Sequence, residues 1–129
     1  MVILRTARIR AFTLVELLVS LAIVGLLLSV AVPRYFKALQ KSRETVLVEN
    51  LHGLRASIQK FYSDRGRYPT TLTELVEERY FSAIPIDPIT ERDDTWVVME
   101  SDEKHSSGVR DVRSGAVGQS LSGIPYEAL

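Results

Sequence analysis

No cysteine occurs among the 129 residues, which excludes a disulfide framework and any metal centre built on thiolates. The absence fixes no compartment, because exported proteins need not carry disulfides. It does withdraw one source of stability from a small domain, so a modest core, a long helix, a bound ion or a neighbouring subunit has to supply it. Charge excess is also missing. Lys and Arg number 16, as do Asp and Glu, and the scattered basic residues are balanced by acids, which leaves a nucleic-acid groove unsupported. Histidine is scarce: His52 and His105 fall on a helix-like stretch and in a loop, with no metal-ligand spacing between them. His52, beside an amphipathic stripe, reads as a packed or surface side chain. No serine lies in a G-x-S-x-G context, and no glycine-rich loop follows a strand into a helix. The residues thus argue against an enzyme, and the lone Trp96, at a strand start, reads as core.

What the chain has in quantity is apolar length. Phe12 to Val32 reads FTLVELLVSLAIVGLLLSVAV, 21 residues with the single charge of Glu16. As a helix this run spans about 32 Å, close to the hydrocarbon thickness of a bilayer. Inside a membrane the backbone must satisfy its own hydrogen bonds, so the run is expected to be helical. Arg5, Arg8 and Arg10 precede it with no acid among residues 1–11. They favour a cytoplasmic N-terminus and place everything after Val32 outside; their removal would leave a mildly acidic body.

Three readings of this segment compete. It is an uncleaved anchor, or a secretory signal cut before Val32 after the small residues Ser29-Val30-Ala31, or a signal cut ahead of the apolar run. The second fits poorly, since the run exceeds the usual apolar length of roughly 7–15 residues and holds a carboxylate. Glu16 weighs between the others. An ionised carboxylate at the centre of a membrane helix costs on the order of 2.5–3.5 kcal/mol, less near the end. Either it reaches back to water, or it has a partner. Cleavage before Phe12 would make one: a new α-amino cation four residues away. In an assembly, a neighbour's amine could meet Glu16 at low dielectric, where such a pair is strong.

Beyond the run, Pro33 predicts a kink or a locally melted turn. Leu47, Leu51, Leu54, Ile58 and Phe61 then recur at spacings of 4, 3, 4 and 3, the face of a helix. Arg43, Glu44, Glu49, Arg55 and Lys60 fall mostly off that face. The helix is expected from Phe12 to about Asp64, closing at Gly66. Thr71 and Glu74 form a capping box ahead of a short second helix. Ile84–Pro88 is extended, because each proline disfavours helix in its predecessor. Thr95–Glu100 and Gly108–Arg113 pair as a hairpin, and Ser114–Leu129 is an irregular loop along the sheet edge. The plan is therefore α+β: residues 1–11 a leader, 12–33 a membrane and assembly helix, 34–65 an amphipathic half, and 66–129 a small head.

Ala11-Phe12-Thr13-Leu14-Val15-Glu16 followed by an apolar helix resembles the class III signal of type IV pilins and type II secretion pseudopilins. The resemblance implies that a prepilin peptidase cuts between Ala11 and Phe12, that the Phe12 amine is N-methylated, and that Glu16 assists assembly. Pro33 matches the family's proline, while Ala11 departs from its usual glycine. RGRYPTT, IPIDPIT, TWV, GVRDVRSG and GIPYEAL together look like the major pseudopilin of type II secretion. Major type IV pilins usually hold a C-terminal disulfide loop, which this chain does not have.

That resemblance implies a pilin-like long N-terminal helix carrying a small antiparallel sheet. It implies a structural subunit that crosses the bacterial inner membrane once, with its head in the periplasm, and then enters a periplasmic pseudopilus. The implied partners are further copies of the chain, other pseudopilins, an inner-membrane assembly platform and the prepilin peptidase. It also implies calcium, held after the last strand by Asp111 and Ser114 with carbonyls such as those of Ser107 and Val112, a hard-oxygen set suited to that ion. The other reading makes Asp111 a plain strand residue and Ser114-Gly115 a turn, with Asp93, Asp94, Asp102 and Glu103 a solvated acidic surface. Two further functions stay open: a type IV pilus subunit for adhesion or motility, and a membrane-tethered or secreted binding domain.

Overall fold

A computed structural model describes residues 3, 11–104 and 106–129. The leader assigned to residues 1–11 lies outside the described residues except for Ile3 and Ala11, and so does His105. Helix α1 runs Leu14–Arg65, 52 residues. It starts two residues later than expected because Thr13 caps it. The Glu16 amide donates to Thr13 Oγ1 at 3.2 Å and the Leu17 amide to the Thr13 carbonyl at 3.1 Å. Phe12 therefore precedes the helix. At the other end Gly66 takes φ 68°, and its amide closes on the Tyr62 carbonyl at 2.8 Å, the left-handed stop that glycine provides.

Helix α1 is continuous through Pro33, so the melted turn expected there is not present. A proline removes one donor from the ladder, and the turns on both sides keep theirs. The hydroxyls in the apolar run add no further unmet demand: Ser20 Oγ donates to the Glu16 carbonyl at 2.8 Å and Ser29 Oγ to the Leu26 carbonyl at 2.6 Å.

By compactness the chain forms two units, Met1–Lys37 and Ala38–Leu129. In the first, every described apolar side chain of the run Phe12–Val32 is exposed, Leu14 at 73% and Leu26 at 69%. A continuous apolar surface of this extent is not left in water by a monomer. Among the described residues α1 is the helix long and apolar enough to cross a membrane.

The second unit is built on the predicted stripe. Leu47, Leu51, Leu54, Ile58 and Phe61 are all at most 1% exposed. Onto them pack Leu72 and Leu75 from α2 (Leu72–Glu77), Trp96 from β1 (Trp96–Glu100), and Val109 and Val112 from β2 (Val109–Ser114). The strands form a two-stranded antiparallel sheet. Pairing runs from Trp96↔Ser114 to Met99↔Asp111 and resumes at Glu100↔Val109, leaving Arg110 as an extra residue on β2. That bulge breaks the two-residue alternation, which is how Val109 and Val112, three apart, both face inward. Trp96 is core, as expected, and its indole N–H donates to the Pro85 carbonyl at 2.8 Å. The tail is mostly irregular, ending in a 3-10 turn at Tyr126–Ala128 that buries Tyr126.

The turn before α2 is held by a close ion pair between Arg67 and Glu74. Thr71 caps α2, accepting from the Glu74 amide at 3.3 Å. The Glu74 carboxylate does not close the box on Thr71 but accepts from the Thr70 amide at 2.6 Å and the Thr70 hydroxyl at 2.8 Å. Arg67 Nη2 donates to its other oxygen at 2.6 Å. The Arg67 hydrogen bond, aided by Thr70 and opposed by burial, holds the Glu74 carboxyl down at about 2. A depressed carboxyl stabilises the fold above its ordinary value of 4.5 and loses that contribution as pH falls toward 2. Thermal unfolding of the full chain in detergent between pH 5 and 2 should therefore fall less steeply for Glu74→Gln than for the parent; parallel curves would show that this contact contributes nothing.

Candidate functional site

The processing and assembly residues lie in one short stretch. Ala11, Phe12 and Thr13 are outside any helix and exposed, so the peptide between Ala11 and Phe12 sits in open chain directly ahead of α1. Thr13 produces that placement. As N-cap it takes a donor that α1 would otherwise leave unsatisfied, and Glu16 stands at the third helical position, completing the T-x-x-E pattern of a helix start. A carboxylate in the first turn is favoured by the partial positive charge of the helix N-terminus. The cap was readable in the sequence but was absorbed there into the signal.

No hydrogen bond or ion pair reaches the Glu16 carboxylate from the described residues. It stands exposed among exposed leucines and valines. The arrangement offers one anion, on an apolar helix, to a cation arriving from another molecule. Pro33 sits exposed within the same helix.

In the head, Asp111 and Ser114 both lie on β2, but they answer to different partners. Asp111 Oδ1 accepts from Arg55 Nε at 2.9 Å and from the Val112 amide at 2.8 Å. Ser114 is buried; its Oγ donates to Asp87 Oδ2 at 2.5 Å and accepts from the Ala116 amide at 3.1 Å. The Val112 carbonyl takes Arg55 Nη2 at 3.0 Å. Calcium needs six to eight oxygens converging on one point, whereas Asp111 Oδ1 and the Val112 carbonyl are taken by Arg55 and Ser114 Oγ by Asp87. Asp111 and Ser114 thus serve separate contacts. Among the described residues no group of three or more His, Cys, Asp or Glu could hold a metal. The remaining acids are dispersed: Asp94 pairs with Arg92 and Glu103 accepts from Ser106.

Sequence reasoning missed Asp87. Its side chain is fully buried, and Oδ1 accepts from the amides of Ile89 at 2.8 Å and Thr90 at 3.3 Å. Its amide donates to the Arg92 carbonyl at 2.8 Å and its carbonyl accepts from the Glu91 amide at 2.8 Å, so it closes the loop 87–92 and, through Ser114, ties it to β2. The available signal was Asp before Pro in IPIDP, since an aspartate that bonds backbone two residues on starts turns of this kind.

Residues 6–32 match the family described as the prokaryotic N-terminal methylation motif. The type II secretion system core protein G of Escherichia coli (strain K12) is 30% identical over 99 residues, covering 64% of this chain and 68% of that protein. The protein of the same name from Klebsiella pneumoniae is 36% identical over 64 residues, 50% of this chain and 46% of its own length. The type IV major pilin protein PilA of Myxococcus xanthus (strain DK1622) is 34% identical over 68 residues, 53% of this chain and 31% of that pilin. The chain thus spans less than half the length of the Klebsiella and Myxococcus relatives. No solved structure matches it.

Thr13→Val keeps the branched shape and deletes the acceptor. An N-cap is worth roughly 0.5–2 kcal/mol, so amide hydrogen exchange at Glu16 in detergent micelles should speed up about 3- to 30-fold. An unchanged rate would mean that Thr13 does not set the start of α1.

Proposed function

Because the chain belongs to the pilin-like family that includes type II secretion system core protein G, we propose that it is a structural subunit of a periplasmic pseudopilus that drives protein export. The observation that carries this reading is the juxtaposition at the N-terminus. An open peptide at Ala11–Phe12 precedes a capped, wholly exposed apolar helix whose charge is Glu16.

The chain enters the inner membrane as a single pass, with Arg5, Arg8 and Arg10 holding the leader on the cytoplasmic side. A prepilin peptidase then cuts the non-helical peptide before Phe12, and the released amine is methylated. Leu14 to Val32 stays with the mature subunit as its contact surface. Apolar helices gain nothing from the hydrophobic effect when they meet within lipid, so register needs a directional contact. Glu16 supplies it. Its carboxylate and a neighbour's Phe12 amine are each costly alone at low dielectric, and together they offset that cost only when aligned. A misplaced subunit leaves two uncompensated charges. The heads remain in the periplasm, where the growing fibre moves exported proteins; other pseudopilins and an inner-membrane platform complete the assembly. The role is structural rather than enzymatic, and a separate cytoplasmic ATPase supplies the energy.

A second reading, a type IV pilus subunit for adhesion or motility, uses the same helix and the same chemistry. It is favoured by the match to the Myxococcus pilin over about half of this chain.

Intact-mass measurement of the membrane-extracted protein, with and without a prepilin peptidase, tests the processing step. A peptidase-dependent product starting at Phe12 and carrying one extra methyl is expected; a product starting at Val32, or full precursor in both strains, removes the proposal. Glu16→Gln tests the assembly step. Removing one partner of a desolvated ion pair costs about 3–5 kcal/mol, so fibre yield should drop more than about a hundredfold while insertion and cleavage persist. Fibres at parental yield would eliminate the pairing mechanism.

A further inference from the structure

The C-terminal tail of the head is fastened to α1 by three side chains of α1 itself, Gln40, Glu44 and Arg55. Glu44 Oε1 accepts from the Leu121 amide at 3.0 Å and from the Tyr126 hydroxyl at 3.2 Å, with Gln40 Nε2 at 3.1 Å beside them. Three helical turns on, along the same helix face, Arg55 reaches the other side of the tail. Its Nε donates to Asp111 Oδ1 at 2.9 Å, and its Nη2 donates to the carbonyls of Val112 at 3.0 Å and Leu129 at 2.9 Å. One guanidinium thereby joins α1, β2 and the residue that follows the last 3-10 turn.

The acceptors around Arg55 are all oxygens: one from the Asp111 carboxylate and the main-chain oxygens of Val112 and Leu129. These are the donors a hard divalent cation takes, and the cation among them is a protein side chain. Both ends of the ion pair are about two-thirds covered, at 34% exposure for the arginine side chain and 36% for the aspartate. A guanidinium suits such a place because its fixed fork of N–H groups satisfies several oxygens at once and its charge is permanent.

We propose that Arg55 is the resident cation of the head: its guanidinium takes, among Asp111, Val112 and Leu129, the role a calcium ion would otherwise fill. The head then holds its tail without a divalent metal, in disagreement with the calcium expected from the resemblance. The separate contacts of Asp111 and Ser114 follow from the same cause. Asp111 is turned toward Arg55, and Ser114, on the inward side of β2, is used by Asp87. The proposal does not depend on which fibre the chain enters.

The test uses the full chain in detergent micelles and the fluorescence of Trp96, the single tryptophan, which is buried in the head core. Thermal unfolding of the parent protein should shift by less than about 1 °C between millimolar calcium and excess chelator, since a ligand that does not bind the folded state cannot stabilise it. Arg55→Met keeps the apolar stem and deletes the cation; its midpoint should fall by roughly 5–10 °C. Arg55→Lys keeps the charge without the fork and should fall between the two, which preserves the comparison if the methionine variant does not fold. A calcium-dependent rise of several degrees in the parent would overturn the proposal, and so would an Arg55→Lys midpoint equal to the parent's.

Discussion

Everything in the head rests on one face of one helix. A two-stranded sheet is marginal by itself, and α2 has six residues, too few to be stable without packing. Neither could stand unless Leu47, Leu51, Leu54, Ile58 and Phe61 offered a preformed apolar wall. The wall in turn needs covering, and the bulge at Arg110, the buried indole of Trp96 and the ring of Tyr126 are the means by which short segments cover it. Polar contacts then fix which segment lies where. Asp87 serves the proline-rich stretch, Glu44 and Arg55 the tail, and Arg67 with Glu74 the entry to α2.

The N-terminal part of the same helix obeys a different rule. Its apolar side chains are exposed all round among the described residues, and the hydroxyls of Ser20 and Ser29 are turned back on their own backbone. In such a segment a single carboxylate dominates, because little else there has direction. One helix thus carries two kinds of surface: a stripe that a protein core selects by shape, and an exposed apolar length on which Glu16 is the charge.

Much of this was legible in the residues. The five-residue stripe needed only spacing, and all five positions are buried. The hairpin, α2 with its Thr71 cap, and the stop at Gly66 followed from local chemistry, with boundaries off by a residue or two. Of the kink or melted turn expected at Pro33, the melted turn is not present, because proline removes one bond from the ladder and a long helix tolerates that loss. The polar ties were harder to foresee. Arg55 meets Asp111, Val112 and Leu129 across separations of 56 to 74 residues, and no local pattern encodes such a meeting. The partners of Asp111 and Ser114 were hidden for a related reason: proximity along a strand does not say which face each side chain serves.

The position of Thr13 has a mechanical consequence. Since α1 begins at Leu14 and Thr13 is itself bonded to the first turn, a terminus made at Phe12 would hang from the rod on one residue of backbone, able to reach about 3.5 Å. That length is less than the 5.4 Å rise of one helical turn. Under the proposed pairing, a rod could not slide past its neighbour by a turn with the ionic link closed, so load on an array would fall on the links at once rather than being taken up as slack.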